Sequence, residues 1–249
     1  MKRSLSIAGP LFALVFLLAA AHPAFAQSVT LDLGGGGSAT GRIVQLLLLL
    51  TVLSLAPAIL VTVTSFTRII VVLSFLRNAL GTQQTPPNFV LVSLALFLTG
   101  FVMAPTLQSA YDNGIAPLIA EKITEEQAFE RTAAPIQSFM MSHVPRQDLD
   151  LFAGMAKVDV KPDDLKDVPL RVIVPAFMIS ELRRAFEIGF LLFLPFLIID
   201  IVVASILMSM GMMMLPPVTI SLPFKLIFFV LVDGWYLVAG SLVQSFGGG

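Results

Sequence analysis

The stretch Met208-Ser209-Met210-Gly211-Met212-Met213-Met214-Leu215-Pro216-Pro217 decides how the rest of this sequence is interpreted. It places five of the eleven methionines within seven residues, between two long apolar segments that each carry a lone charge, Asp200 and Lys225. Methionine side chains are unbranched and adaptable, so several of them can close around objects of different shape. A tight turn shaped by Gly211 and Pro216-Pro217 at membrane depth would make that seal a gate. Composition alone favours the simpler interpretation, a flexible packing segment.

The overall composition is that of a membrane protein. Hydrophobic residues make up 57% of the 249 residues and charged residues only 12%, with a mean hydropathy of +0.92. A soluble domain usually has about 25% charged residues. The net charge of −1 provides no basic surface for nucleic acid. Because there is no cysteine, disulfides and thiolate metal sites are excluded.

The first 26 residues have the pattern of a cleavable signal peptide. Lys2 and Arg3 precede an apolar run over Leu11–Ala21, and Ala24-Phe25-Ala26 provides a small-residue cleavage site. The alternative is an uncleaved first span, but the run is shorter than the roughly 20 residues that a span needs. Residues 27–42 include four consecutive glycines and are predicted to be a flexible linker.

The remainder predicts an all-α integral membrane protein with two long helical hairpins. Residues 43–110 form the first apolar hairpin, and Pro57 is expected to kink its overlong first segment. Residues 111–187 contain 13 acidic and nine basic residues, which predicts a polar helical insert outside the membrane. Residues 188–249 form the second apolar hairpin, with the methionine-rich stretch at its turn and a fourth span over 218–246.

Local signals predict helices within the polar insert. Thr124 and Gln127 have the spacing of a capping box, so a helix should begin there. Residues 148–155 read as a short helix. Pro175 fits the first turn of the next helix, because the missing N–H of proline is not needed at that position.

Four charges fall within or beside the apolar segments. A lone charge at membrane depth costs about 2.5–3.5 kcal/mol, so each needs a partner or a wet cavity. Asp200 and Lys225 would lie at comparable depth on neighbouring helices. Three arrangements are open: the two residues pair with each other, they pair with a neighbouring subunit, or they take part directly in transport. Arg68 and Glu181 raise the same question, and the surroundings of Glu181 favour a solvated or interfacial helix face, with Arg183 able to contact Glu187 one turn later.

Nothing in the sequence predicts an enzyme. His143 is the one histidine outside the predicted signal peptide, and a single histidine without clustered carboxylates makes a poor metal site. Nucleophile, zinc-binding and phosphate-binding motifs are absent. We therefore predict no catalytic residue, no metal and no cofactor.

Several stretches of the sequence resemble the FliP (FliP/SctR) family of flagellar type III export-gate proteins. Together they cover most of the chain from residue 43 onward. They are 65–77 (SFTRIIVVLSFLR) with 81–88 (GTQQTPPN), 175–182 with 185–190, 195–205, and 211–217 with 222–225 (LPFK) and 232–235 (VDGW).

The resemblance implies a pore-forming subunit that assembles as a pentamer with FliQ, FliR and other export-apparatus membrane proteins. Unfolded flagellar proteins would pass through its central channel, which a gasket of Met212, Met213 and Met214, with Met210 beside them, would close. It also implies residence in the bacterial inner membrane at the flagellar basal body, with much of the assembly on the periplasmic side. Two other hypotheses remain: a secondary transporter or ion channel that uses Asp200 and Lys225, and a scaffold without a pore.

Overall fold

The structure is a computed structural model that describes residues 39–82, 84–158, 168–212 and 214–247. The predicted signal peptide, most of the predicted linker and Met213 lie outside these residues. The chain divides into two compact units, Met1–Val52 and Leu53–Gly249. Within the first unit, the described residues form the beginning of a helix whose apolar side chains at 46–50 are exposed.

All regular secondary structure in the described residues is helical. In chain order the elements are α1 (Ala39–Val63), α2 (Phe66–Leu80), α3 (Asn88–Ala110), a π-helical turn (Tyr111–Ile115), α4 (Ala116–Ile119), α5 (Glu125–His143), α6 (Arg146–Ala156), α7 (Leu170–Ser209), α8 (Pro217–Leu231) and α9 (Gly234–Gly247).

The prediction of an all-α membrane protein is confirmed. In the part of the chain that the structure describes, three stretches of helix are long and apolar enough to cross a membrane: Leu46–Val63, Asn88–Ile119 and Leu170–Ser209. Helices α8 and α9 would add a fourth span if together they make one, although they meet at an angle of 63°. The bend follows Val232, where Asp233, one of the two charges that interrupt this apolar segment in the sequence, takes a left-handed φ of 51°.

The first apolar segment breaks at Thr64-Ser65, between α1 and α2. Pro57 lies inside α1, which continues to Val63. The Oγ1 of Thr64 donates to the carbonyl of Leu60 (2.6 Å) and accepts the N–H of Phe66 (3.3 Å). Thr64 therefore satisfies backbone groups at the end of one helix and the start of the next, which allows the chain to turn between them.

Helix α2 lies at the centre of the second unit. Ile69, Val72 and Leu76 on this helix are completely buried, in a core that α3, α7, α8 and α9 complete. Gly189 on α7 lies against Phe75, because a Cβ at Gly189 would come within 2.6 Å of the Phe75 ring. Helices α2 and α7 thus approach each other closely at Gly189, because this residue has no side chain.

The polar insert packs on the first half of α7 through a second core. Met140 of α5, Leu149 of α6, and Val172 and Phe177 of α7 are all buried there. The capping box is confirmed: Thr124 accepts the N–H of Gln127, and the Gln127 side chain accepts the N–H of Thr124. The short helix predicted over 148–155 is confirmed as α6.

The prediction for Pro175 is wrong, because α7 begins five residues earlier at Leu170, after Pro169. Val172 and Ile173 are buried in the second core, and their burial favours a helix that starts more than one turn before Pro175.

Helix α7 also runs unbroken through 187–188, where the composition changes from polar to apolar. The polar insert and the second hairpin therefore share one continuous helix.

The close contact of α2 and α7 leads to a test. Gly189→Ala should lower the free energy of unfolding by about 1–3 kcal/mol, because the new methyl group overlaps the root of the Phe75 side chain. Gly240→Ala in α9 is the matched control: no atom lies within 4 Å of its Cβ position, so removing a helical glycine should raise stability by roughly 0.5–1 kcal/mol. Thermal unfolding of the purified protein in detergent measures both, and equal behaviour of the two variants would contradict the packing.

Candidate functional site

Asp200 and Lys225 form an ion pair within one chain. The Nζ of Lys225 on α8 lies 2.7 Å from Oδ2 of Asp200 on α7. The lysine side chain is 3% exposed and the aspartate side chain 24% exposed. Ser221, one turn before Lys225, donates its hydroxyl to the other carboxylate oxygen of Asp200 at 2.5 Å. Of the three arrangements open from the sequence, the structure has the pairing of the two residues with each other.

Lys225 also binds the end of α2. Its Nζ donates to the carbonyl of Ala79 at 3.1 Å, and Ala79 lies in the last turn of that helix. Carbonyls in the last turn have no partner within the helix, and the negative end of the helix dipole lies there. The ammonium group therefore joins three helices at one point: α2, α7 and α8.

The methionine loop, which we define as residues 210–216, is bounded by two backbone signals. Gly211 has a φ of 74°, its N–H donates to the carbonyl of Met208 (3.1 Å), and the N–H of Met212 donates to the carbonyl of Leu207 (3.0 Å). This pair of bonds is a Schellman motif, which ends α7. Helix α8 begins with Pro216 as its N-cap and Pro217 as its first residue, a position that suits proline.

The methionine side chains in and beside this loop are exposed in the single chain. The exposed fractions are 57% for Met208, 62% for Met210, 43% for Met212 and 99% for Met214. Outside this stretch, Met103 (1%) and Met140 (0%) are buried, whereas Met155 is 70% exposed. The loop therefore presents apolar, flexible side chains that no other described part of the chain covers.

Arg68 and Glu181 form a second pair, which is completely buried. The Nε of Arg68 on α2 donates to Oε2 of Glu181 at 2.8 Å, and Nη2 donates to Oε1 at 2.5 Å. Both side chains are 0% exposed. The interpretation of Glu181 as a solvated or interfacial residue is therefore wrong. Glu181 lies one turn after Phe177 and one turn before Ala185, on the stripe of α7 that packs in the interior.

The third guanidinium nitrogen of Arg68, Nη1, is bonded to α9. It donates to the hydroxyl of Ser245 (3.0 Å) and to the carbonyl of Ser245 (3.3 Å). The guanidinium carbon lies 3.7 Å from the centre of the Phe246 ring, a cation–π contact. Arg68 thus holds together α2, α7 and α9. Burying its charge without a partner would be strongly destabilising, and here Glu181, Ser245 and Phe246 surround it.

A third cluster joins the polar insert to α7. Asp148, 2% exposed at the start of α6, accepts the hydroxyl of Ser180 at 2.8 Å and Nη2 of Arg183 at 2.7 Å. Arg183 therefore pairs with a residue of another helix and not with Glu187, as its sequence spacing suggested. The local spacing could not reveal Asp148, because 35 residues separate the two partners.

Sequence reasoning missed most partners of the charged residues: Ser221 and the carbonyl of Ala79 at the Asp200–Lys225 pair, Ser245 and Phe246 at Arg68, and Asp148 at Arg183. The serines and the phenylalanine carry no charge and lie in apolar segments, so no pattern distinguished them. The ring of His143 packs at a tilt against Phe139 (ring centres 4.7 Å apart) and Phe246 (5.4 Å). Among the described residues, no group of three or more His, Cys, Asp or Glu side chains is placed to hold a metal ion.

Comparison with known proteins identifies the family. The model of the FliP family matches residues 49–242. The chain belongs to the FliP family. The chain is 63% identical over 224 residues to the flagellar biosynthetic protein FliP of Caulobacter vibrioides, covering 90% of this chain and 84% of that protein. It is 60% identical to FliP of Bacillus subtilis, covering 82% and 91%, and 48% identical to FliP of Aquifex aeolicus, covering 94% and 98%.

The burial of the Arg68–Glu181 pair predicts a large loss of stability when the charge of Glu181 is removed. Glu181→Gln should lower the free energy of unfolding by about 3–5 kcal/mol, because it leaves the buried Arg68 cation without a counter-charge. Asp150→Asn, which removes the counter-charge of the half-exposed Arg146–Asp150 pair, is the matched control and should cost about 1 kcal/mol or less. Chemical unfolding in detergent compares them, and similar losses in both variants would argue against the role of burial.

Proposed function

We propose that this chain is a pore-forming subunit of the flagellar type III protein export gate. It would pass unfolded flagellar proteins through a channel that the methionine loop closes between substrates. The observation that carries the proposal is the exposed methionine loop, fixed at both ends by Gly211 and Pro216-Pro217, in a chain of the FliP family. Met213 lies outside the described residues and is assigned to the gasket with Met210, Met212 and Met214 by its place in the sequence.

A single chain supplies only an arc of such a gasket. Self-association, as a pentamer with FliQ, FliR and other membrane components of the export apparatus, would bring the loops together around one axis. In that ring the side chain of Met214, 99% exposed in the single chain, would contact methionines of the neighbouring subunits. Thioethers with several rotatable bonds can fit side chains of many shapes and still exclude water when the channel is empty.

The same proposal assigns a place in the cell. Residues 1–26 would act as a signal peptide that is cleaved, residues 27–42 as a linker, and the two apolar hairpins would hold the protein in the bacterial inner membrane at the flagellar basal body. Residues 111–187 would form a helical insert outside the bilayer, and much of the assembly would stand on the periplasmic side. The gate would work without catalysis or a cofactor.

The gasket is tested by shortening its side chains. Replacing Met212, Met213 and Met214 by alanine together should raise ion leakage through the assembled gate several-fold, because alanine cannot fill the opening. Met155→Ala, at a methionine of α6 that is 70% exposed and outside the loop, should leave leakage unchanged. Conductance of the assembled complex in planar bilayers measures both, and an unchanged conductance in the triple variant would refute the gasket.

The competing hypothesis, a transporter or ion channel that uses Asp200 and Lys225, makes a different prediction for a charge swap. Each single variant, Asp200→Lys or Lys225→Asp, should reduce assembly, because it places like charges together between helices. The double variant should restore assembly and export only in part, because an aspartate at 225 cannot donate to the carbonyl of Ala79. Normal assembly of the double variant with complete loss of transport would favour a direct role of the pair in transport.

A further inference from the structure

Two cavities lie along α5, on the side of this helix that meets α3 and the π-helical turn. The turn packs directly on α5 at Gly114, because a Cβ at this glycine would come within 2.9 Å of the carbonyl oxygen of Ala128. A first cavity of about 840 Å³ lies between α3, α5 and α9. A second, of about 720 Å³, lies between α5, the last turn of α3 and the π-helical turn. Both are lined by Ser109, Pro135 and Ser138, and together they form what we call the α3–α5 cleft.

The first cavity has mainly apolar walls. Serine and threonine hydroxyls and the ring of His143 line part of it. The rest is formed by apolar side chains of three helices: Phe101, Val102 and Pro105 of α3, Phe139 of α5, and Val243 and Phe246 of α9. A cavity of this volume is large enough to hold a small molecule. Walls of this kind favour a ligand with a hydrocarbon part, because that part leaves water when it binds.

The second cavity favours an anion. Arg131 of α5 lines it, beside the amide side chains of Asn113 and Gln137. Arg131 is exposed and forms no ion pair with any other described residue. None of the described residues that line either cavity is acidic. A guanidinium group binds phosphate through two parallel N–H bonds, so a phosphate group would complement the charge of this cavity.

The order of these features matches the order of parts in a phospholipid. Helix α3 carries no charged residue over its length, Asn88–Ala110, and the first charge after it is Asp112 in the π-helical turn. Arg131 belongs to the polar insert. The α3–α5 cleft therefore leads from the side of an uncharged, membrane-length helix to a cation on a polar one. Basic pockets beside membrane helices bind anionic lipid head groups in this way.

We propose that the α3–α5 cleft binds one anionic phospholipid, with its phosphate at Arg131 and an acyl chain along Phe101, Pro105 and Phe246. Such a lipid would fill the space between α3, α5 and the end of α9, which the single chain leaves open. This inference rests on the proposed position of residues 111–187 outside the bilayer. It does not depend on the gasket, because the cleft contains none of the residues of the methionine loop.

Native mass spectrometry of the purified full-length chain counts the bound lipids. The chain in detergent is titrated with dioleoylphosphatidylglycerol and, separately, with dioleoylphosphatidylcholine, which has the same acyl chains and no net charge. Arg131→Gln removes the cation, and Ser138→Trp fills the wall that the two cavities share. Two matched controls lie outside the cleft: Arg171→Gln at an exposed cation of α7, and Gly154→Trp at an exposed position of α6 with no atom within 4 Å of its Cβ.

The unmodified chain and both controls should retain one phosphatidylglycerol, with a several-fold preference over phosphatidylcholine. Arg131→Gln should lose this preference, and Arg131→Lys should keep part of it, because lysine retains the charge without the planar fork. Ser138→Trp should lower the retention of both lipids several-fold. The arginine variants keep the test decisive if Ser138→Trp does not fold. Equal retention of the two lipids by the unmodified chain, or an unchanged preference in Arg131→Gln, overturns the proposal.

Two other occupants of the cleft give different results. Excess inorganic phosphate should not displace phosphatidylglycerol, because it gains nothing from the apolar cavity, and displacement would refute the placement of the acyl chain. Ser138→Cys places one thiol in a chain without cysteine. Crosslinks from this thiol to another chain in the assembled complex, with loss of the lipid, would show that a neighbouring subunit fills the cleft and would refute the proposal. Lipid binding as predicted, together with normal sealing by the methionine variants, would support the lipid site and refute the gasket.

Discussion

The burial of charge between apolar helices is the constraint on which the rest of this structure depends. Helix α2 is held near its start by Arg68, which binds Glu181 of α7 and Ser245 of α9. It is held at its end by Lys225, which binds the carbonyl of Ala79 and the carboxylate of Asp200. Arg68 and Ala79 are eleven positions apart, which corresponds to about 16 Å of helix. Two charged junctions therefore fix both ends of the central helix to the helices around it.

These junctions supply a specificity that apolar packing alone would not. The segments are rich in leucine, isoleucine, valine and phenylalanine, and such surfaces can pack in several registers at similar free energy. An arginine with a bidentate carboxylate, a serine hydroxyl and an aromatic ring around it has one favourable arrangement. We infer that the buried charges fix the register of the helices. Sliding α7 or α9 by one turn would leave Arg68 unpaired and would lower the free energy of unfolding by several kcal/mol. The single chain thereby gains a defined geometry before it meets any other subunit.

The sequence predicted this arrangement where the signals were local. The position of Asp200 and Lys225 on either side of one turn implied comparable depth, and the spacing of Thr124 and Gln127 implied the start of α5. The Arg68–Glu181 pair could not be deduced, because 113 residues separate the partners and the two arginines at 183 and 184 gave Glu181 the appearance of a surface residue. The change of composition near residue 187 reports a change of environment, and the backbone hydrogen bonds of α7 cross it without a break. The direction of Ser245 and Phe246 toward Arg68 depends on the bend at Asp233, and the turn-forming dipeptide Asp233-Gly234 does not by itself fix the angle of that bend.

The way the methionine loop is bounded limits how a gate made from it could move. Gly211 ends α7 by two backbone bonds, and Pro216 and Pro217 fix φ at the start of α8. Between these limits the chain has few residues with free backbone dihedrals, so adaptation must come mainly from the side chains of Met212 and Met214. Each of them has three rotatable side-chain bonds and no branch at Cβ. A gasket of this kind would yield to a passing polypeptide by rotamer changes and close again behind it, while the junctions at Lys225 and Arg68 hold the helices still.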